Sequence, residues 1–227
     1  MKIYEKYPEI LSFTAEVKDK RFKNNISQLL VEKTIFMPSD DFLINDYKTA
    51  GDLEVVEVKE NKGKDLISVK GKYTEDTIEL VVDKKLRYRN LSYNTSYILF
   101  QIFLEGFYGK VKTNLFLSED KAYITLLNYT SDIDPELFDE MINYAIESNL
   151  PITNKAGITE VAGLGTVINS YMNFDNTFKI RRFKVLDVNK DGKNTIISIS
   201  AGNNWQNTFT MVNYKKFKER RTEKWSD

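Results

Sequence analysis

The sequence predicts an α+β protein with a small β-barrel-like domain over residues 1–84 and a two-layer α/β domain over residues 85–227, the latter built from an antiparallel sheet and a central helix. Three observations lead to this prediction. Strand patterns fill the first third of the chain, a dense apolar segment with helical spacing follows at residues 91–107, and a hairpin pattern returns near residue 190. The chain has 227 residues, of which 41% are hydrophobic and 29% charged, as in ordinary globular proteins.

The first domain is predicted from short runs of apolar and β-branched residues. Residues 26–36 form one such run. Residues 53–58 and 65–69 are expected to pair across a turn in which Gly63 supplies a positive φ angle. Residues 77–82 add a further strand and complete a small antiparallel barrel or sandwich.

The central helix is predicted at residues 91–107, where apolar side chains occur on nearly every face and Gly106 and Gly109 are placed to end the helix. Such a helix is buried. Its aromatic residues are therefore interpreted as core packing rather than as a base-stacking surface. They are Tyr93, Tyr97, Phe100, Phe103, Phe107 and Tyr108.

The remaining elements have clear boundary signals. Residues 121–127 read as a strand, and Asp134 with Pro135 predicts the start of a second helix, because aspartate caps a helix and proline suits its first position. Residues 178–188 and 195–200 predict a hairpin.

Composition restricts the chemistry. The chain has no cysteine and no histidine, which excludes disulfides, thiolate catalysis and the usual nitrogen and sulfur ligands of zinc. The charged first residues favour the cytoplasm over secretion, and no apolar run approaches the roughly 20 residues that cross a bilayer. We expect no membrane association.

The formal net charge is zero, with 33 basic and 33 acidic residues, so attraction to RNA must be local. Basic clusters lie at residues 84–89, 179–184 and 215–224. The last belongs to a tail that suggests a basic helix or a frayed end. The candidate nucleic-acid contacts are Arg87, Arg89, Arg181 and Arg182.

Two segments together resemble a known family. The helix containing Asn94 and Ile98, followed by the glycine loop at residues 163–167, resembles the HxxxH helix and CGGTH-type loop of the aminoacyl-tRNA editing domains of alanyl- and threonyl-tRNA synthetases and of free-standing alanyl-tRNA editing proteins. Looser matches in the same order cover nearly the whole chain. The resemblance implies that residues 85–227 form an editing-type domain, like the second additional domain of those synthetases.

In that family, two histidines, a cysteine and a final histidine hold zinc, which promotes hydrolysis of the ester between amino acid and tRNA. The matching positions here are Asn94, Ile98, Gly163 and Val167, none of which supplies a usual zinc ligand. We therefore expect no metal and no cofactor. The resemblance implies that these four residues and Thr166 surround a pocket at the former metal position.

The first functional hypothesis is an alanyl-tRNA-editing-like protein that lacks metal-dependent deacylase activity and keeps tRNA or aminoacyl-ligand binding. An alternative is a zinc-independent hydrolase of mischarged aminoacyl-tRNA. Its candidate catalytic carboxylates are Asp40, Asp41 and Asp46, which stand where the family has a glycine-rich motif. Another alternative is a structural or protein-interaction module. The oligomeric state is left open.

Overall fold

The computed structural model describes residues 2–38, 42–61, 63–169 and 171–202. It begins with a short helix, α1 (Ile3–Lys6), and a closed antiparallel barrel with strand order β1-β2-β5-β4-β3-β6. The barrel strands are β1 (Ser12–Lys23), β2 (Ile26–Val31), β3 (Tyr47–Ala50), β4 (Leu53–Asn61), β5 (Lys64–Lys70) and β6 (Thr77–Val82). Closure occurs where β6 pairs with the first half of β1.

The barrel interior is apolar because alternate residues of each strand point inward. Val58, Ile67 and Leu80 have no exposed surface. The predicted strand at residues 26–36 is shorter in the structure. It ends at Val31, and Thr34 instead makes an isolated bridge with Lys2.

Helix α2 (Lys84–Tyr108) runs through the second part of the molecule. Asp83 caps it by accepting a hydrogen bond from the backbone N of Leu86 at 3.0 Å, and Gly109 ends it at φ +79°. The helix begins seven residues before the predicted apolar run at residue 91, because Asp83 supplies the cap and the basic segment forms the first turns. Most of its residues from Arg87 to Leu104 are buried.

Two smaller sheets and a second long helix surround α2. The four-stranded sheet has the order β12-β13-β8-β7, and the three-stranded sheet has the order β11-β10-β9. These elements are β7 (Thr113–Leu117), β8 (Ala122–Leu126), α3 (Pro135–Glu147), β9 (Ile152–Lys155), β10 (Ile158–Val161), β11 (Gly165–Ile168), a 3₁₀ helix (Thr177–Ile180), β12 (Phe183–Asp191) and β13 (Asn194–Ala201).

The buried apolar residues form two clusters, one inside the barrel and one around α2. The α+β prediction is confirmed in this broad sense. In the ranges that the structure describes, no helix is both long and apolar enough to span a membrane.

Candidate functional site

A cavity of about 250 Å³ lies beside α2. Helix α2 contributes Asn94, Tyr97 and Gln101 to its lining, at the i, i+3 and i+7 positions that share one helix face. These residues are three of several polar side chains on this mostly buried helix. Their spacing, read from Asn94 onward, is a signal that could have identified Tyr97 and Gln101 as cavity residues from the sequence.

The terminal strands of both smaller sheets border the same cavity. Strand β7 contributes Thr113, Asn114 and Leu115, and β11 with the residue after it contributes Ile168 and Asn169. The sequence pattern did not indicate that β7 and β11 border one cavity, because the two strands are about 50 residues apart in the chain and belong to different sheets.

Phe42, Leu43 and Tyr171 complete the described lining. The rings of Phe42 and Tyr171 are tilted against each other with centroids 5.5 Å apart. None of the described residues around the cavity carries a charge. The site therefore suits a small, uncharged group that can exchange hydrogen bonds and contact an apolar wall.

The side-chain amide of Asn94 has a hydrogen-bonded nitrogen and an oxygen without a hydrogen-bond partner among the described residues. Its Nδ2 donates to the carbonyl oxygen of Met172 at 3.0 Å and lies 3.5 Å from Oδ1 of Asn169. Because the Met172 carbonyl can only accept, this contact fixes which end of the amide carries the nitrogen. Oδ1 of Asn94 is buried and has no hydrogen-bond partner among the described residues. A buried acceptor in this condition favours any ligand that brings an N–H or O–H donor.

Tyr97 and Gln101 both form a hydrogen bond with the Thr113 hydroxyl on β7. The Tyr97 hydroxyl is 2.7 Å from Oγ1 of Thr113, and Nε2 of Gln101 donates to the same atom at 3.2 Å. Burial raises the pKa of Tyr97 above its ordinary value, against a smaller opposing effect of the Thr113 hydrogen bond. The phenol is therefore a neutral hydrogen-bonding group near neutral pH.

The segment after β11 is held against α2 by side-chain hydrogen bonds. Oγ1 of Thr95 accepts from the backbone N of Phe174 at 3.0 Å while donating to the Leu91 carbonyl at 2.6 Å. Nδ2 of Asn169 donates to the Tyr171 carbonyl at 2.9 Å. These contacts position one wall of the cavity relative to Asn94.

The predicted pocket residues have different environments. Of that set, Asn94 alone lines the cavity, while Ile98 is fully buried in the apolar core and Val167 packs against it. Gly163 lies in an exposed turn at φ +76°, and Thr166 is exposed on β11. Of the five residues expected to surround one pocket, Ile98, Gly163, Thr166 and Val167 are absent from the lining of this cavity. The predicted loop is a turn followed by a strand, which directs its side chains to alternate faces.

A different glycine brings β11 close to α2. A Cβ atom on Gly165 would lie 3.3 Å from Cγ2 of Ile102, closer than most such contacts allow. The absence of a side chain at Gly165 therefore permits the observed packing of β11 on the helix.

The residues present do not fit zinc. The whole chain has no histidine or cysteine, and the described part contains no group of three or more acidic residues that could hold a metal ion.

The carboxylate of Asp46 is not available as a catalytic base. It is 2% exposed and bound by the guanidinium of Arg87, with Nε of Arg87 2.5 Å from Oδ2 and Nη2 3.1 Å from Oδ1. The prediction of a catalytic role for Asp46 is therefore wrong, because the lone pairs that would accept a proton face an arginine. Asp40 and Asp41 lie outside the described residues.

Burial also contradicts the prediction that Arg87 and Arg89 contact RNA. Arg87 has no exposed surface and Arg89 is 8% exposed. Nε of Arg89 donates to the Ser118 carbonyl at 2.9 Å, and its guanidinium lies 4.5 Å from the centre of the Tyr93 ring. Both arginines are therefore internal structural contacts, since a phosphate could reach neither without unfolding this region.

Arg181 and Arg182 are exposed, and the Arg181 guanidinium lies 4.9 Å from the centre of the Phe178 ring. The two lysines in the same basic cluster form ion pairs with acidic residues. Lys179 pairs with Glu9 and with Asp175, and Lys184 pairs with Asp139. The basic cluster at residues 215–224 lies outside the described residues.

No protein-family model matches this chain, and a comparison with curated proteins finds no match.

Proposed function

We propose that this chain is a zinc-less protein of the aminoacyl-tRNA editing type that binds the aminoacylated end of tRNA, or a related aminoacyl ligand, without metal-dependent deacylase activity. One observation carries the proposal. Asn94, at the position matching the first histidine of the HxxxH helix, lines a polar cavity, and its Oδ1 is a buried acceptor without a partner among the described residues.

The packing around α2 supports this proposal. The resemblance requires the helix with Asn94 and the loop with Gly163 to approach each other, and Gly165, two residues beyond Gly163, lies against Ile102 of that helix. A barrel precedes the helix, as the loose N-terminal matches imply. These features are compatible with an editing-type arrangement whose reactive residues have been replaced.

The lining explains why binding without hydrolysis is favoured. Hydrolysis of an ester requires a group that takes a proton from water, and histidine or a suitably placed carboxylate is the usual choice. The described cavity offers amides, hydroxyls and aliphatic groups, and burial keeps the Tyr97 phenol neutral through the raised pKa of that group. None of these is a base near pH 7.

The same lining suits the neutral parts of an aminoacyl ester. The polar groups of the lining can exchange hydrogen bonds with the ester and hydroxyl groups of such a ligand, while Leu43 and Leu115 supply apolar contact to a small side chain. Additional affinity for tRNA would come from Arg181 and Arg182, because phosphate contact requires exposed cations.

The test is deacylation of mischarged alanine tRNA by the purified chain, measured with chelator and again with added zinc. In both cases, we expect deacylation to proceed at the same rate as in the absence of the protein. Hydrolysis that appears with zinc would contradict the proposal, and hydrolysis that persists in chelator would favour the zinc-independent enzyme, with Asp40 and Asp41 the first residues to substitute.

A further inference from the structure

The 3₁₀ helix presents an aromatic ring and a cation to solvent. Its inner side is anchored, since Thr177 and Ile180 have no exposed surface and the Thr177 hydroxyl donates to the Ala145 carbonyl at 2.7 Å. Side chains three residues apart lie on the same face of a 3₁₀ helix. Phe178 and Arg181 therefore share an outer face, where the Phe178 ring is 48% exposed and Arg181 is exposed.

The ring and the guanidinium already form a stack. The Arg181 guanidinium lies 4.9 Å from the centre of the Phe178 ring, within the range of a cation–π contact. Oδ1 of Asn176 accepts a hydrogen bond from the backbone N of Phe178 at 2.7 Å and so caps the helix. Because the helix is held at its start and on its inner side, a ligand would find the stack in place and lose little affinity to ordering it.

The backbone of Arg181 has a conformation that is unfavourable for a long side chain. Its φ and ψ angles are +76° and −55°, as at the centre of a strained γ-turn. In the described part of the chain, the other non-glycine residues with positive φ are four asparagines and one alanine. Asparagine tolerates positive φ better than most residues, and glycine would be free of strain here. Strain of this kind is concentrated at functional sites, which motivates a role for the Arg181 side chain.

The charge of Arg181 is available to a ligand. Lys179, on the same helix, forms ion pairs with Glu9 and Asp175. Among the residues that the structure describes, no acidic side chain pairs with Arg181, whose contact is with the Phe178 ring. A guanidinium has five N–H donors, so those of Arg181 can donate to a negatively charged oxygen while the group lies on the ring.

We propose that Phe178 and Arg181 form a platform against which an unpaired nucleobase of RNA stacks, while the Arg181 guanidinium donates to an adjacent phosphate. Stacking on an aromatic ring and a guanidinium suits any base, so the platform selects unpaired nucleotides rather than a particular sequence. An acidic peptide would use the charge alone and leave the exposed ring without a partner, which makes RNA the better fit.

This proposal rests on the proposed function for RNA as the partner and adds the part of the RNA that is bound. The cavity beside α2 is not involved, because neither Phe178 nor Arg181 belongs to its lining.

The experiment measures the fluorescence anisotropy of a short labelled oligoadenylate, single-stranded in one series and paired with its complement in another. We expect saturable binding of the single strand and at least tenfold weaker binding of the duplex, because pairing withdraws the bases from the platform. Phe178→Leu should weaken single-strand binding at least about fivefold through loss of one stacking contact. Phe107→Leu, which removes a ring that is 50% exposed on α2, is the matched control and should bind as the wild type does.

Arg181→Gly separates a binding role from a structural one. Glycine relieves the strain at positive φ, so the variant should unfold at a temperature no lower than that of the wild type. Its affinity for the single strand should nevertheless fall at least tenfold. A lower unfolding temperature together with unchanged affinity would overturn the proposal, because the contact of Arg181 with Phe178 would then serve only to hold the helix.

Three results for RNA binding would also overturn the proposal: no saturable binding of the single strand by the wild type, equal affinity of the wild type and Phe178→Leu, or equal affinity for single strand and duplex. Binding of polyglutamate that is as tight as that of RNA and depends on Arg181 would overturn it in favour of an acidic protein partner. The oligonucleotide carries no amino acid, so failure here is distinct from failure of the proposed function, which is read from the effect of Asn94→Leu on the binding of an aminoacylated RNA.

Discussion

Arg87 and Asp46 form an ion pair inside the protein, with Nε of Arg87 2.5 Å from Oδ2 of Asp46 and side chains that are 0% and 2% exposed. The same guanidinium donates to the carbonyl oxygens of Pro8 at 2.9 Å and Ile35 at 2.7 Å. Asn90, one turn further along α2, donates to the Ile44 carbonyl at 2.7 Å. The start of α2 is thereby joined to the chain segments before and within the barrel.

Replacing Arg87 with methionine should lower the free energy of unfolding by about 3–5 kcal/mol, because the carboxylate of Asp46 would be left buried without its cation. Chemical denaturation measures this change. Lys85→Met, at an exposed position in the first turn of the same helix, should stay within about 0.5 kcal/mol of the wild type. A loss of less than about 1 kcal/mol for Arg87→Met would mean that other groups stabilise the buried carboxylate of Asp46 without Arg87.

Asp65 gives the protein a specific dependence on pH. Its carboxyl is 3% exposed and has no hydrogen-bond partner at Oδ1 among the described residues. Burial raises the pKa of Asp65 above its ordinary value of 3.8, with Lys2 acting in the opposite direction. The folded state therefore holds this proton more tightly than the unfolded chain, so the contribution of Asp65 to stability falls as pH rises through the interval between the two pKa values.

Asp65→Asn removes this titration. Denaturation of the variant and the wild type at pH 4 and at pH 7 should show the variant gaining stability, relative to the wild type, between the lower and the higher pH. A relative stability that is unchanged or declines over this range would show that the Asp65 carboxylate is satisfied in the folded protein.

The contact of β11 with α2 depends on the absence of a side chain at residue 165. Gly165→Val should destabilise the protein by about 1–3 kcal/mol, because its Cβ would crowd Ile102. Thr166→Val, on the exposed side of the same strand, is the matched control. Adding Ile102→Ala should recover part of the stability lost in Gly165→Val. If the stability losses of the two single variants simply add in the double variant, the strain does not come from contact with Ile102.

Any tRNA binding should depend on salt through Arg181 and Arg182. Replacing both with glutamine should weaken binding and reduce the slope of log K against log salt by about one to two, since each phosphate contact contributes roughly 0.7–0.9 to that slope. Filter binding across a salt series measures this. The control is the double variant Lys84→Gln, Lys85→Gln, whose two positions are exposed at the start of α2. An unchanged slope in the arginine variant would show that Arg181 and Arg182 do not contact the RNA.

The sequence predicted the regular elements better than the site. The capped start of α3 and the closing hairpin depend on local signals such as Asp134 and Pro135, which act within one turn of chain. The start of α2 was predicted seven residues too late, because the cap at Asp83 was not recognised. Strand β1 was missed because its sequence, SFTAEVKDKRFK, is rich in charge, and its pairing partners in β2 and β6 supply the apolar face that completes it.

The site depends on contacts that local patterns do not reveal. Arg87 looked like a solvent-exposed basic residue because its partner Asp46 lies 41 positions earlier in the chain. The cavity joins Asn94 with Thr113 and Asn169, which come from separate elements. Of the predicted pocket residues, Asn94 lines the cavity, although Asn90, Thr95 and Ser96 on the same helix are equally polar and buried, so polarity alone could not select it.

The most direct measurement is the affinity of the wild type and of Asn94→Leu for an acceptor-stem RNA that carries its amino acid through a 3′-amide, which cannot be hydrolysed as the ester is. Asn143→Leu is the matched control, because Nδ2 of Asn143 makes comparable backbone hydrogen bonds to Asp139 at 2.7 Å and Phe183 at 2.8 Å away from the cavity. We predict saturable binding by the wild type and by Asn143→Leu, and at least tenfold weaker binding by Asn94→Leu. No binding by the wild type, or equal affinity for wild type and Asn94→Leu, would contradict the proposal that this cavity holds the aminoacylated end of tRNA.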